Sequence, residues 1–280
     1  MAVKVVTDST ADLTPDIVKE LNIQVIPLNV HFGEETFKDG VDIHPDGFFN
    51  RLSTDPVLPK TSQPSVGEFL EVYSGLLDAG HEIISIHVSG KLSGTVNSAN
   101  QAQEQSKSSD RITVVDSLQV GISLANVVIA AAERVKNGAS RSEAADIARA
   151  SAEQVQVYLM VETLEYLQKG GRIGKAQAFL GSLLQLRPIL SLQDGEVHPL
   201  ERTRTRNKAI DRLCELASEH GAIKQLAICH STTPDEALAL EERLRPVLAK
   251  GARVIQTRFG PVVGVHVGPG ALGVSIMPAK

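Results

Sequence analysis

Short runs of branched-chain residues at 3–7, 24–30, 83–87 and 112–115 alternate with amphipathic segments through the first half of this 280-residue chain. Strands separated by helix-length segments pair side by side in the same direction, so the alternation predicts a parallel sheet covered by helices. Thr14-Pro15 marks one helix start, because proline at a first helical position gives up no N–H that had a partner there. That helix is expected to end near residue 21, and others are expected over 66–79, 96–105, 121–137 and 141–154.

Past residue 155 the pattern changes. Apolar runs at 157–161, 187–192 and 196–200 follow, the last two joined through Gln193-Asp194-Gly195, and Asp-Gly between apolar runs signals a hairpin. Helical periodicity over 206–219 and 235–249 then alternates with strand-like 225–229 and 253–257. The expected fold is α/β with a boundary near 155: a parallel-sheet domain over 1–155 and a mixed sheet carrying helices over 156–280. A 42% hydrophobic content supplies enough apolar material for two modest cores.

The stretch His87-Val88-Ser89-Gly90-Lys91-Leu92-Ser93-Gly94-Thr95 reads as strand, Ser/Gly turn, helix. Small residues at such a junction admit a ligand to backbone N–H groups, and the helix N-terminus favours an anion. The same residues also serve as ordinary N-caps, which satisfy N–H groups that the helix leaves unpaired. A second cluster, Lys60-Thr61-Ser62-Gln63-Pro64-Ser65, precedes the 66–79 segment, so two Ser/Thr clusters are available to one pocket.

Other classes fit poorly. A net charge of -5, no basic run and 4% aromatic content argue against a nucleic-acid surface. Neither Gly-x-Gly-x-x-Gly nor a Walker sequence occurs at the relevant turns, so no nucleotide cofactor is expected. Cys214 and Cys229 lack zinc spacing and read as buried thiols. No signal peptide and no apolar stretch of about 20 residues is present, so a soluble, cytoplasmic protein without a transmembrane segment is expected. Asp8 and Asp12 flank Ser9-Thr10; a metal or acid–base pair is one reading, and strand-end capping by local hydrogen bonds is the preferred one.

Five motifs in order, Val5-Val6-Thr7-Asp8-Ser9-Thr10-Ala11-Asp12-Leu13, Thr61-Ser62-Gln63-Pro64-Ser65, Leu92-Ser93-Gly94-Thr95, Gly170-Gly171-Arg172-Ile173-Gly174 and His266-Val267-Gly268-Pro269-Gly270, together resemble the DegV family over nearly the whole chain. The resemblance implies a three-layer α/β/α domain with a mostly parallel sheet, joined to a two-layer α/β domain with a mixed sheet. A long-chain fatty acid would lie between them in an enclosed apolar tunnel. It further implies the acyl-carrying subunit of a bacterial fatty acid kinase system, monomeric when loaded and lacking an ATP site of its own. Such a subunit presents the carboxylate to an ATP-dependent kinase partner and carries the acyl-phosphate onward to an acyltransferase.

By the same resemblance, Thr61, Ser93 and Gly94 hold the carboxylate and His266 lies beside it, where an unperturbed pKa of about 6.5 lets its surroundings decide its charge. Ser62, Arg172 and Arg202 take secondary or kinase-docking roles, no catalytic residue is assigned, and no metal is implied. Arg202 belongs to a run with Arg204 and Arg206 that also reads as a solvated edge. Val96 stands where the family often carries an aromatic residue, which bears on pocket packing. Residues 179–184 with Leu186, Ile189 and Leu190 read as tunnel wall or as plain core. Two other functions compete: an acyl hydrolase with Ser93 as nucleophile, His266 as base and Asp8 or Asp116 as orienter, and a binder of a small phosphorylated ligand. The hydrolase lacks a Gly-x-Ser-x-Gly elbow around Ser93.

Overall fold

The computed structural model describes residues 2–180 and 186–279. The first apolar runs become β1 (Val3–Asp8), β2 (Ile23–Ile26), β6 (Glu82–His87) and β7 (Ile112–Asp116), parallel and in the order β2-β1-β6-β7. Side chains alternate across a strand, so Val5, Ile84 and Ile86 join one core while Val6 and Ile83 join another. Helices α3 (Val66–Asp78) and α4 (Thr95–Gln105) cover the second face, and α5 (Ile122–Lys136) and α6 (Arg141–Gln154) cover the first. This is a three-layer α/β/α arrangement.

Strands β8 (Gln156–Met160), β9 (Arg187–Gln193), β10 (Glu196–Thr203), β11 (Ile223–His230), β12 (Leu248–Arg258) and β13 (Leu272–Pro278) form a mixed sheet in the order β10-β9-β8-β13-β11-β12. Only the β11–β12 pair is parallel. Helices α8 (Arg206–Ser218) and α9 (Pro234–Leu244) pack on one face around Leu213, Leu226, Leu240 and Val274. The other face rests on α5.

That position explains the composition of α5. Every residue from Ile122 to Ile129 is buried, as a helix sandwiched between two sheets requires. One apolar core therefore runs from Val5 and Ile84 of the first sheet to Ala227 and Cys229 of the second. Two of the buried α5 residues are polar: Ser123 donates to Val120 O at 2.8 Å, and Asn126 donates from Nδ2 to Ser275 Oγ at 3.0 Å and accepts from Gln225 Nε2 at 2.8 Å.

Several expectations need correction. The 24–30 run is two strands, because Pro27 has no N–H for a ladder. β3 (Asn29–Phe32) instead pairs antiparallel with β4 (Glu35–Lys38) and β5 (Lys60–Ser62) in a small third sheet, β4-β3-β5. The 235–249 helix stops at Leu244 because Pro246, two residues on, has no N–H to donate back into the helix, and a 3-10 turn over Arg245–Val247 follows. Leu248 already begins β12. Cys229 is buried, but Cys214 is only partly so. Also unforeseen were α2 (Pro45–Thr54), α7 (Glu165–Lys169), α10 (Pro261–Val267) and β13, whereas α1 (Pro15–Glu20) starts where Thr14-Pro15 indicated. The Asp194-Gly195 hairpin is as expected, with φ of 50° and 80°, the two positive values of a type I′ turn.

Removing the amide of Asn126 leaves Gln225 Nε2 without its acceptor and takes one of the two hydrogen bonds of Ser275 Oγ, which keeps Gln156 O. Asn126→Ala is expected to cost about 1–3 kcal/mol, read as a lowered urea midpoint with an unchanged slope.

Candidate functional site

The first sheet places a crevice by its strand order alone. The chain leaves β1 toward one edge and β6 toward the other, and ligands bind beyond the C-terminal ends of strands where such a reversal occurs. Asp8, at the end of β1, fixes both loops there. Its Oδ1 accepts from Thr10 N at 3.1 Å and Thr10 Oγ1 at 2.5 Å, and its Oδ2 accepts from His87 Nδ1 at 2.9 Å and Val88 N at 3.0 Å. Because the carboxylate only accepts, His87 carries its proton on Nδ1. Its Nε2 then accepts from Ser85 Oγ at 2.6 Å, and Ser85 accepts from Tyr73 O–H at 2.8 Å. All of these side chains are buried, and burial pushes the Tyr73 phenol up.

The β6 loop runs to Gly94, the N-cap of α4, where no side chain caps the helix. Ser93 Oγ shares a hydrogen bond with Thr95 Oγ1 at 2.8 Å and accepts from Thr95 N at 3.4 Å. The second Ser/Thr cluster divides. Ser65 caps α3 in a reciprocal box, accepting from Glu68 N at 3.2 Å while its own N–H donates to Glu68 at 2.8 Å. Thr61 and Ser62 instead lie on β5, and Ser62 Oγ meets His31 Nε2 at 2.9 Å.

Thr61 Oγ1 meets His266 Nε2, in the last turn of α10, at 3.1 Å. The imidazole lies against the backbone of Gly170, where a Cβ would sit 2.2 Å from Nδ1. Nδ1 itself is buried without a partner. Two residues on, Arg172 donates from Nε to Leu92 O at 3.0 Å and from Nη1 to Gly170 O at 2.8 Å. Burial, aided by the Arg172 charge, holds His266 down to about 4, so the ring is neutral near pH 7.

These residues surround one cavity with about 980 Å³ of atom-free space, part of it open to solvent. Its polar wall holds Thr61, Ser62, Gln63, Ser93, Arg172 and His266, and the rest is chiefly apolar, including Leu28, Val88, Ile122, Leu159, Leu190 and Val263. Gln63, absent from the expected site, packs on Gly94, where a Cβ would lie 2.9 Å from its Nε2. Its place within the Thr-Ser-Gln-Pro-Ser motif was the available signal. The α10 residues Val262 and Val263 were missed with their helix.

Other candidates fall elsewhere. Arg202 does not line the cavity; its guanidinium lies 4.4 Å from the centre of the Phe179 ring. Arg206, the last of the arginine run, pairs with Glu162 and Glu236. Leu190 lines the cavity, but Ile189, its neighbour on β9, faces the opposite core. Phe179, Leu180 and Leu186 do not line it either, and 181–184 lie outside the described residues. Val96 is not in the wall, so the departure there does not shape this cavity. The hydrolase triad is not assembled: Asp8 serves His87, and Asp116 accepts from Gly90 N and Leu118 N. His266 bonds Thr61, and Ser93 bonds Thr95.

A family described as uncharacterised proteins of the DegV type matches residues 2–279. The chain belongs to the DegV family. Protein DegV of Bacillus subtilis strain 168 is 38% identical over 282 residues, 98% of each chain. A solved DegV-family structure from Thermus thermophilus, described as fatty acid binding, superposes with a TM-score of 0.91 at 33% identity, covering 99% of this chain and 100% of that one. The structure of DegV from Bacillus subtilis, described as a fatty acid binding protein, gives 0.87 at 35% identity and 99% coverage of both. In this DegV-family chain, among the described residues, no helix is long and apolar enough to cross a membrane.

Gly170→Ala is expected to push the His266 ring out of its seat, moving its titration from about 4 toward 6.5, as imidazole NMR would record. In the unaltered protein the unfolded chain binds this proton at higher pH than the folded one. The stability contributed by neutral His266 is thus complete above 6.5 and lost as pH falls toward about 4. His266→Gln is expected to remove that part of the decline in a pH series of thermal unfolding.

Proposed function

We propose that this protein binds a long-chain fatty acid in the cavity and presents its carboxylate to an ATP-dependent fatty acid kinase partner. The observation that carries this reading is the composition of the wall: a long apolar surface meets one compact group of donors that includes Arg172 and no carboxylate. A buried carboxylate is costly unless donors meet it. The hydroxyls of Thr61 and Ser93 in the cavity wall supply them, with Gly94, behind Gln63 and outside the wall, offering its N–H at the start of α4, and with the α4 dipole and Arg172 adding positive potential. A tail with a dozen buried methylenes contributes about 10 kcal/mol before the costs of association. The fatty acid binding described for the Thermus and Bacillus relatives supports the same ligand class.

In this reading 1–155 and 156–280 are two units with the ligand between them. The first contributes Thr61, Ser62, Ser93 and Gly94, and the second contributes Arg172 and His266. His266, kept neutral by burial, is drawn toward protonation when an anion arrives, so binding takes up part of a proton. The kinase moves the terminal phosphoryl group of ATP onto a carboxylate oxygen, leaving ADP and an acyl-phosphate. The chain carries that product to an acyltransferase in the cytoplasm. Arg202, outside the cavity, belongs to the surface that meets the kinase.

Denaturing extraction followed by mass spectrometry, with native mass recorded in parallel, is expected to find one fatty acid per chain. A protein that emerges empty and refuses added fatty acid overturns the reading. Ser93→Ala removes a donor to a charged group and is expected to weaken binding by about 1.5–3 kcal/mol, with phosphorylation by the kinase reduced in step.

A further inference from the structure

At the opposite end of α10 from His266, two aspartates from distant parts of the chain converge on one backbone position. Asp12 Oδ1 accepts from Gly260 N at 2.9 Å. A Cβ on Gly260 would lie 2.7 Å from that oxygen and 3.2 and 3.6 Å from the two oxygens of Asp39. Asp12 is 8% exposed and Asp39 is 4% exposed, and Oδ2 of each has no hydrogen-bond partner. Two buried carboxylates this close do not both stay ionised without a cation or a proton.

The surroundings favour a proton. Among the described residues no group of three acidic, histidine or cysteine side chains is placed to hold a metal ion. Asp8, on β1, adds a third negative group whose oxygens are already engaged by His87, Thr10 and Val88. Cys229, on β11, faces Asp12 as a thiol pushed up by burial. His230, at the end of β11, is held low by burial and by Arg258. Arg258, at the end of β12, directs its guanidinium at Asp46 and the Ser231 carbonyl. Asp12, Asp39 and His44, which precedes α2, line a second cavity, whose atom-free space of about 1560 Å³ is partly open to solvent and gives the pair a route for proton exchange.

We propose that Asp12 and Asp39 hold one proton between them and act as positioning residues, fixing the start of α10 and thereby His266 at the polar wall of the fatty acid cavity. Burial pushes Asp39 up to about 7, against contacts from Ser9 and the Val262 N–H that lower it. Burial and Asp39 together push Asp12 well up. Gly260 and His266 are about 9 Å apart along the helix at 1.5 Å per residue. Loss of the shared proton sets two negative charges against each other at one end of this short helix, whose other end carries His266 and whose side carries Val262 and Val263 into the cavity. The link to affinity rests on the fatty acid reading above.

Asp39→Asn tests it, because an amide reproduces the protonated acid in shape and cannot ionise. In the ligand-free protein, a carboxyl raised on folding contributes stability that is complete below its unfolded value and lost as pH rises through its folded one. The melting temperature of the unaltered protein is therefore expected to fall relative to Asp39→Asn between pH 5 and 9. Affinity for a fluorescent sixteen-carbon fatty acid is expected to weaken by about tenfold between pH 6 and 9, the equivalent of one pK unit of linkage, and to weaken by less in Asp39→Asn, where only the proton uptake at His266 remains. Asp39→Ala, which loses the shape as well as the charge, is expected to bind more weakly at every pH. Parallel profiles for the unaltered protein and Asp39→Asn in both measurements would overturn the proposal. If the probe binds neither protein at any pH, the fatty acid reading fails, and the melting profiles still decide whether the pair holds its proton.

Discussion

The buried carboxylate of Asp8 is the constraint on which the rest of this structure depends. A negative charge at the end of a central strand, out of contact with water, is tolerated only if donors satisfy it. Thr10, His87 and Val88 do so, and in doing so they fasten the loop after β1 to the loop after β6. Those loops flank the one reversal of strand order in the parallel sheet. The Tyr73-Ser85-His87 chain beneath them fixes the imidazole tautomer and leaves none of its side-chain polar atoms unmatched. The crevice mouth is rigid because its floor is a saturated polar network rather than a flexible turn.

The second constraint is α5. Packed between two sheets, it gives them a shared apolar core, so the mixed sheet finds its inner cover in the same helix that covers the parallel sheet. The cavity reaches the start of this helix, where Gly121 and Ile122 line it. A ligand there touches the β1 and β6 loops, the inner face of β8 and β9, and α10 at once. Polar groups from loops and apolar groups from a sheet face meet in one space, which is the arrangement an amphiphile requires.

Much of this was readable from pattern. The Ser/Gly turn after 83–87 lies at the crevice, although such residues also serve as ordinary helix caps, and the quoted motifs bring Thr61, Ser93, Arg172 and His266 to one cavity. What pattern missed depends on distant partners. Ser65 and Thr61 stand four positions apart in one cluster, yet one caps a helix and the other faces a histidine 205 residues away. Ile189 and Leu190 are equally apolar neighbours, and only the pairing of β9 decides which one meets the cavity. β13 went unread because a strand buried on both faces lacks the alternation that marks a half-exposed one.

The sequence by itself determined the alternation of strands and helices and the hairpin at Asp194-Gly195, because each follows from local backbone preference, and its motifs, by resemblance, named the donors Thr61, Ser93, Arg172 and His266. Only the tertiary structure decided what those donors do. Gly170 is only the first residue of a Gly-Gly-Arg-Ile-Gly motif until His266 is seated against it, and that seat, with the Arg172 charge, makes the imidazole neutral. Asp12 reads with Asp8 as a strand-end capping residue, and nothing in the sequence singles out Asp39, until the fold brings Asp12 and Asp39 to Gly260. Charge state and proximity are set by burial and by contacts between residues far apart in the chain, which no local pattern encodes.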